Sequence, residues 1–437
     1  MDADFNVARG DLLVRDGTIA ALGDCAAAVA ALPGGRPDER IDASDGFVLP
    51  GLVHGHLHLC QTLFRGLAEQ SDLLRWLRES IWPLEHAHTE ASLAASARLG
   101  LAELLAGGVT CINDMGTVRH TDALALALES SGIRAIFGKA LMDSGTDAPA
   151  GMLENPKRAL DEALALAKRH HGSAGGRLQV SLAPRFILSC SEGLWRDVAA
   201  ASLERGLVVH THLAENPNEG REVSAAVGST AARYFATHGV LSERFVGAHG
   251  VWLDPEELGE LKRADSALVH CPGSNLKLGS GLANVRRWRA AGVRCGIGSD
   301  GAACDNRLDT FHEMSLAAGL SRSLEPADPL SARDVLALAT RDGARALGLG
   351  DRVGSLEVGK QADVAVVDAR GLHLAPNAER DPYVTLVHAC RAGDVRLTMV
   401  AGRVLYRDGS WSTLDPERAV ADARAEAQGL LRRMEAA

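Results

Sequence analysis

The sequence predicts an α/β protein: a (β/α)8 TIM barrel with a small β-sandwich domain formed by both chain ends. Two observations carry this. Through the middle of the chain, short apolar, β-rich runs alternate with Ala- and Leu-rich segments at helical spacing. On both flanks, short strand patterns recur with turn signals between them.

The central runs are 46–58, Val109–Met115, 134–142, 178–186, 207–214, 245–251, 267–271 and 294–300, eight in all. Most are continuously apolar, as strands covered on both faces must be. Of the segments between them, Glu90–Ala106 is clearest: Thr89 is placed to cap it and Gly107-Gly108 to end it. Strands alternating with helices call for a parallel sheet, and eight such units close into a barrel. The flanks, 11–48 and 354–406, carry turn signals at Asp16-Gly17 and Asp45-Gly46 and strand patterns at 362–368 and 397–406. The expected division is 1–48 with 352–415 as the composite sandwich, 49–351 as the barrel, and 416–437 as a charged C-terminal helix. Segment 142–155, rich in Asp, Gly and Pro, reads as a loop on the barrel rim.

At 437 residues the chain can bury a large core, and 46 basic against 56 acidic side chains give a net charge of −10. No run of Lys or Arg forms a stripe, which argues against nucleic-acid and membrane partners. The eight cysteines contain no Cys-x-x-Cys pair and several sit in apolar runs, as expected of buried thiols in a reducing cytoplasm. The N-terminus has neither a charged nor an apolar leader pattern, and no apolar stretch is long enough to span a bilayer. A cytoplasmic protein is expected.

Ionisable residues collect at the ends of the predicted strands. His56 and His58 end the first in His-Gly-His-Leu-His, and their i, i+2 spacing puts both imidazoles on one side. His212 ends the fifth with Glu215 three residues on, His249 ends the sixth, and Asp300 ends the eighth. All therefore fall on the C-terminal face, where barrel active sites lie. Three imidazoles and a carboxylate suit Zn2+, or Fe2+, with one open position for water. A divalent metal lowers the pKa of water toward neutrality. One carboxylate must take the water's proton, and a second must give one to a ring nitrogen as the attacked carbon becomes tetrahedral. Asp300 is the candidate for the first task and Glu215 for the second, with His249 placed to orient the attacking hydroxide and stabilise charge on the adduct.

At these residues the chain resembles the amidohydrolase superfamily, in its mononuclear deaminase and chlorohydrolase branch. The resemblance runs from Leu49-Pro-Gly-Leu-Val-His-Gly-His-Leu-His through Ser274-Asn-Leu-Lys-Leu-Gly-Ser-Gly to Gly354-Ser-Leu-Glu-Val-Gly-Lys-Gln-Ala-Asp-Val. It implies metal ligands at His56, His58, His212 and Asp300. Two-metal relatives use a modified lysine at the end of strand four; here that position reads Ala-Pro-Arg-Phe, so one metal is expected. Within the branch the chain is most similar to 5′-deoxyadenosine, methylthioadenosine and S-adenosylhomocysteine deaminases, through Gln61-Thr-Leu-Phe-Arg-Gly, Leu74-Arg-Trp-Leu and Ile81-Trp-Pro-Leu-Glu. That resemblance implies that Glu85 binds the ribose hydroxyls, as a carboxylate can. Trp76 and Trp82 read as core rather than base-stacking residues.

Two departures stand out. Arg185 occupies a position where methylthioadenosine-type enzymes carry a substrate-contacting histidine. Pro-Arg-Phe there, with Gln61, also resembles guanine deaminase, although 5′-deoxyadenosine-type members share it; a guanidinium at Arg185 can donate to a purine ring nitrogen or carbonyl. Relatives also begin with an extra strand ahead of the segment matching 2–11, so either the start lies upstream or the small domain lacks an edge strand.

The expected activity is deamination of an adenosine-like nucleoside, a small-molecule substrate, with Glu85, Arg185, Gln61, Glu215 and His249 lining its site. The alternatives are guanine deamination and a triazine-type amino- or chlorohydrolase. Glu215 favours an amine leaving group, because chloride leaves without a proton. A metal-free scaffold protein is disfavoured by the complete ligand set. A nucleic-acid editing deaminase is disfavoured because the Pro-Cys-x-x-Cys half of that signature is absent. The resemblance further implies a homo-oligomer.

Overall fold

The computed structural model describes residues 1–69, 72–376 and 378–435. Eight parallel strands follow one another in sequence order around one sheet: Leu52–Leu57, Val109–Met115, Arg134–Leu141, Leu178–Pro184, Val209–Leu213, Phe245–His249, Ala267–His270 and Arg294–Ile297. The predicted barrel is therefore present. Its last edge returns to its first, where the Asp300 N–H donates to the His56 carbonyl at 3.2 Å. A side-chain carbon on Gly298 would sit 2.5 Å from that same oxygen, so only glycine lets the two edges meet so closely. Val109–Met115 and Arg134–Leu141 are buried along their whole length between barrel interior and outer helices, which is why their sequences do not alternate.

Helix Glu90–Ala106 begins and ends where its caps predict. Thr89 Oγ1 accepts from the Ser92 N–H at 3.2 Å, and Ser92 Oγ accepts from the Thr89 N–H at 2.8 Å. Gly107 ends the helix and Gly108, at φ +81°, turns the chain into the second barrel strand.

Run 46–58, expected as one strand, is two. Gly46–Pro50 pairs antiparallel with Val364–Asp368, and Leu52–Leu57 belongs to the barrel. At the break, the Gly51 N–H donates to the Asp363 carbonyl at 2.9 Å, a partner supplied by the far end of the chain. The resulting five-stranded antiparallel sheet runs Ser410–Trp411, Arg403–Arg407, Val395–Val400, Val364–Asp368, Gly46–Pro50. A hairpin of Asp11–Arg15 and Thr18–Gly23, turned at Asp16-Gly17 with both φ positive, packs over it. Ile19, Val364, Val366 and Leu397 fill the space between the two layers.

The C-terminal helix, Pro416–Glu435, lies against Glu90–Ala106, with Arg98 facing Asp422 at 3.3 Å and Ala423 and Leu430 buried. The last two residues of the predicted tail lie outside the described residues. Segment 142–155 contains a turn at Thr146-Asp147 and one short 3-10 helix, Ala150–Met152, that buries Met152, and Asn155 caps the helix that follows. Among the described residues, no helix is long and apolar enough to cross a membrane.

Candidate active site

The strand-end residues converge on the C-terminal face. His56, His212, His249 and Asp300 each offer an atom within 4.8 Å of all the others. His58 stands against the same group, its Nε2 at 3.2 Å from Asp300 Oδ1 and 3.2 Å from His212 Nε2. His56 Nε2 lies 3.3 Å from Asp300 Oδ1. Two of these residues sit in the left-handed backbone region, His249 at φ +76° and Asp300 at φ +65°. That conformation is costly outside glycine, and it turns both side chains inward off their strand ends.

Each imidazole is oriented through its other nitrogen. His58 Nδ1–H donates to the Met115 carbonyl at 2.8 Å, His212 Nδ1–H to the Arg185 carbonyl at 2.6 Å, and His249 Nδ1–H to Asn275 Oδ1 at 2.9 Å. His56 Nδ1 meets His210 Nε2 at 2.8 Å. These bonds fix the tautomers and leave the Nε2 lone pairs aimed at a common centre. His56 Nε2 and His249 Nε2 are fully buried without a partner among the described residues.

Burial holds His56 down to about 4 and pulls His212 and His249 below the ordinary imidazole range, which keeps them in the neutral form that ligates. For Asp300, burial is outweighed by the closeness of the His56 and His58 imidazoles, so the carboxyl lies well below its usual range. Around a zinc ion, with bonds of about 2.0–2.2 Å, neighbouring ligand atoms lie roughly 3 Å apart. The His58–His212, His58–Asp300 and His56–Asp300 spacings match this. The donor set fits a divalent cation.

Glu215 stands beside this centre, its Oε2 at 3.5 Å from His249 Nε2 and its Oε1 accepting from Ser280 Oγ at 3.2 Å. Burial, with Asp300 and Glu219 nearby, pushes its carboxyl well above the usual range. Glu85, Gln61 and Arg185 also come together, as a second buried group. Arg185 donates to both oxygens of Glu85, at 2.6 and 2.9 Å, and Gln61 Nε2 donates to Glu85 Oε1 at 3.0 Å. Trp76 and Trp82 are buried among Phe64, Leu77 and Ile81, as core residues are.

A model of the amidohydrolase family matches residues 47–405. The chain belongs to the amidohydrolase family. A 5′-deoxyadenosine deaminase of Methanothermobacter thermautotrophicus is 37% identical to this amidohydrolase over 425 residues, which are 97% of this chain and 95% of the relative. A 5-methylthioadenosine/S-adenosylhomocysteine deaminase of Halobacterium salinarum is 38% identical over 408 residues, 93% and 90% of the two chains. Among solved structures, an adenosine deaminase from Xanthomonas campestris with bound zinc superposes at a TM-score of 0.88 and 30% identity, covering 96% and 93%.

Several residues of the amidohydrolase site escaped the sequence reading. His210 holds His56, and its i, i+2 spacing from His212 was a usable signal. His54 bonds Thr310 Oγ1 at 2.9 Å and Ser299 Oγ at 2.8 Å, tying the first strand to the last. Asn275 and Ser274, which hold His249 and Asp300, lie in the short helix Pro272–Lys277, within a motif that marks the family resemblance but does not show which side chains they hold.

Proposed function

We propose that this amidohydrolase deaminates an adenosine-like nucleoside, with 5′-deoxyadenosine, 5′-methylthioadenosine, S-adenosylhomocysteine and adenosine as candidate substrates, giving the inosine analogue and ammonia. The observation that carries this reading is Glu215: a buried carboxyl 3.5 Å from His249, with its pKa raised, is a proton donor in reserve beside the ligand cluster. An amine needs such a donor; a chloride does not. The names of the relatives support the nucleoside class.

His56, His58, His212 and Asp300 would hold the cation, zinc before iron(II), with His249 left beside them, and a single ion suffices because Arg185 stands where a bridging lysine would be needed. When bound, the cation supplies Lewis acidity that brings the pKa of water toward neutrality. Asp300 takes a proton from water as its oxygen adds to the amine-bearing ring carbon. Glu215 gives its proton to the adjacent ring nitrogen. His249, 3.5 Å from Glu215 and 3.8 Å from Asp300, orients the incoming oxygen and steadies charge on the adduct. As the carbon–nitrogen bond breaks, the proton on Asp300 leaves with the amine as ammonia, and the adduct's hydroxyl proton returns to Glu215.

Glu85 Oε1 already accepts three bonds, from Gln61, Arg185 and the Cys60 thiol, but Oε2 accepts only one, from Arg185, so it has a lone pair for a ribose hydroxyl. Arg185 then serves the substrate through Glu85. Eight buried, unpaired thiols support a reducing, cytoplasmic setting.

The test is ammonia release from metal-loaded protein with 5′-deoxyadenosine, adenosine, S-adenosylhomocysteine and guanine side by side. Turnover of the adenosine compounds without guanine is expected; turnover of guanine alone would overturn the nucleoside reading. Glu215→Gln should retain metal and cut kcat by about 100-fold or more, and full activity in that variant would remove the proton-shuttle role.

A further inference from the structure

Segment 274–280, which follows the seventh barrel strand, touches all three polar groups that the proposed reaction uses beyond the cation. Ser274 Oγ donates to Asp300 Oδ2 at 2.8 Å, Asn275 Oδ1 accepts from His249 at 2.9 Å, and Ser280 Oγ donates to Glu215 Oε1 at 3.2 Å. The segment is itself pinned at several points. The Gly273 N–H donates to Glu313 Oε2 at 3.0 Å, Lys277 Nζ to the Ala303 carbonyl at 3.0 Å, and the Trp252 indole N–H to the Ser280 carbonyl at 2.7 Å. The Ser280 N–H closes back on the Asn275 carbonyl at 2.9 Å. A segment held this way, half helix and half turn, presents fixed hydrogen-bonding groups rather than adaptable ones.

Ser280 differs from the other two contacts because it acts on the group that must deliver a proton. It is fully buried, and its hydroxyl has no other acceptor among the described residues. The O–H is therefore committed to Glu215 Oε1. The other carboxyl oxygen, Oε2, faces His249 Nε2 at 3.5 Å and opens toward the reaction centre. A carboxyl that accepts a hydrogen bond on one oxygen carries its own proton on the other. We propose that Ser280 is a positioning residue for proton transfer: its bond to Oε1 keeps the transferable proton of Glu215 on Oε2. This rests on the reading of Glu215 as the proton shuttle. In each cycle the proton leaves Oε2 for the ring nitrogen and is replaced from the adduct's hydroxyl, while the Ser280 proton stays in place.

The prediction separates positioning from simple structural support. On metal-loaded protein with 5′-deoxyadenosine, Ser280→Ala should lower kcat about tenfold, with KM within about twofold and metal content unchanged. The same substitution in a Glu215→Gln background should change kcat little, because the misplaced proton is no longer there to lose. An unchanged kcat in Ser280→Ala, beside an impaired Glu215→Gln, would overturn the inference and leave the shuttle standing. So would an equal fold loss in both backgrounds. Full activity in Glu215→Gln would instead bring down the shuttle, and this inference with it. Should Ser280→Ala lose metal, Ser280→Cys, whose thiol is a weak donor of similar size, carries the same cycle.

Discussion

Arg185 and Glu85 face each other as a two-pronged ion pair, Nη1 to Oε2 at 2.6 Å and Nη2 to Oε1 at 2.9 Å, with both side chains out of solvent. Burial alone would neutralise the carboxyl; the guanidinium beside it outweighs that and holds Glu85 below the ordinary range. The acceptor proposed for the ribose is thus kept charged by a neighbour, at the expense of a desolvated pair.

Removing one member of such a pair strands the other. Arg185→Met should destabilise the fold by about 3–5 kcal/mol in chemical denaturation. The double variant Arg185→Met/Glu85→Gln should lose clearly less than the two single losses added together. Additive losses would mean that the two groups do not depend on each other.

Glu85→Ala should lower kcat/KM for 5′-deoxyadenosine by about 10- to 100-fold, the range of a lost hydrogen bond to a charged group. Any turnover of free adenine, which has no ribose, should be much less affected. Equal losses on both would take Glu85 out of the ribose site.

His210 accepts from His56 at 2.8 Å and has no other duty among the described residues. Cutting this support should weaken metal affinity by about 10- to 100-fold in His210→Leu, measured by competition with a chelator. A variant that binds metal as tightly as the parent would show that His56 is oriented by its strand alone.

Asp305 and Glu313 crowd one glycine: a carbon added at Gly273 would meet Asp305 Oδ1 at 2.4 Å and Glu313 Oε1 at 2.6 Å. Burial pushes Asp305 up to about 6 and Glu313 well above its usual range, with Asp305 adding to the rise at Glu313; a hydrogen bond from Glu313, then Arg307 and Lys277, offset the effect at Asp305, and Asp309 adds to it. Because the folded pKa lies above the unfolded one, stability should fall as pH rises from the ordinary carboxylate range through about 6. Asp305→Asn removes that penalty and supplies an amide donor to Glu313. Its melting temperature should exceed the parent's by a few degrees at pH 8, and the gain should shrink at pH 5. A gain independent of pH would mean that the pair shares no titration.

The parts of the site that could be read from sequence are those where one short stretch encodes direction. The i, i+2 spacing of His56 and His58 gives a shared face, and Thr89 and Gly107-Gly108 bracket a helix, so each is decided locally. Run 46–58 reads as one strand because apolar residues flank Pro50-Gly51 on both sides, although that pair is itself a turn signal and marks the handover between the two sheets. That break is made by Asp363, which meets Gly51 only in the folded chain. The pairing of Glu85 with Arg185, a hundred positions apart, and the grip of Ser274, Asn275 and Ser280 are likewise tertiary facts. Single polar residues in short helices and turns have no period from which to infer a partner.

The antiparallel ladder between Gly46–Pro50 and Val364–Asp368 bears on how the molecule is made. During synthesis the early strand emerges long before its partner, and its N–H and C=O groups must wait on water while the whole barrel sequence is threaded out between them. Closing so large a loop is slow, yet lengthening it adds little to the entropic cost. The small sheet is therefore expected to assemble last, as a clasp, and a ribosome stalled before Val364 should display a barrel with Gly46–Pro50 still unpaired.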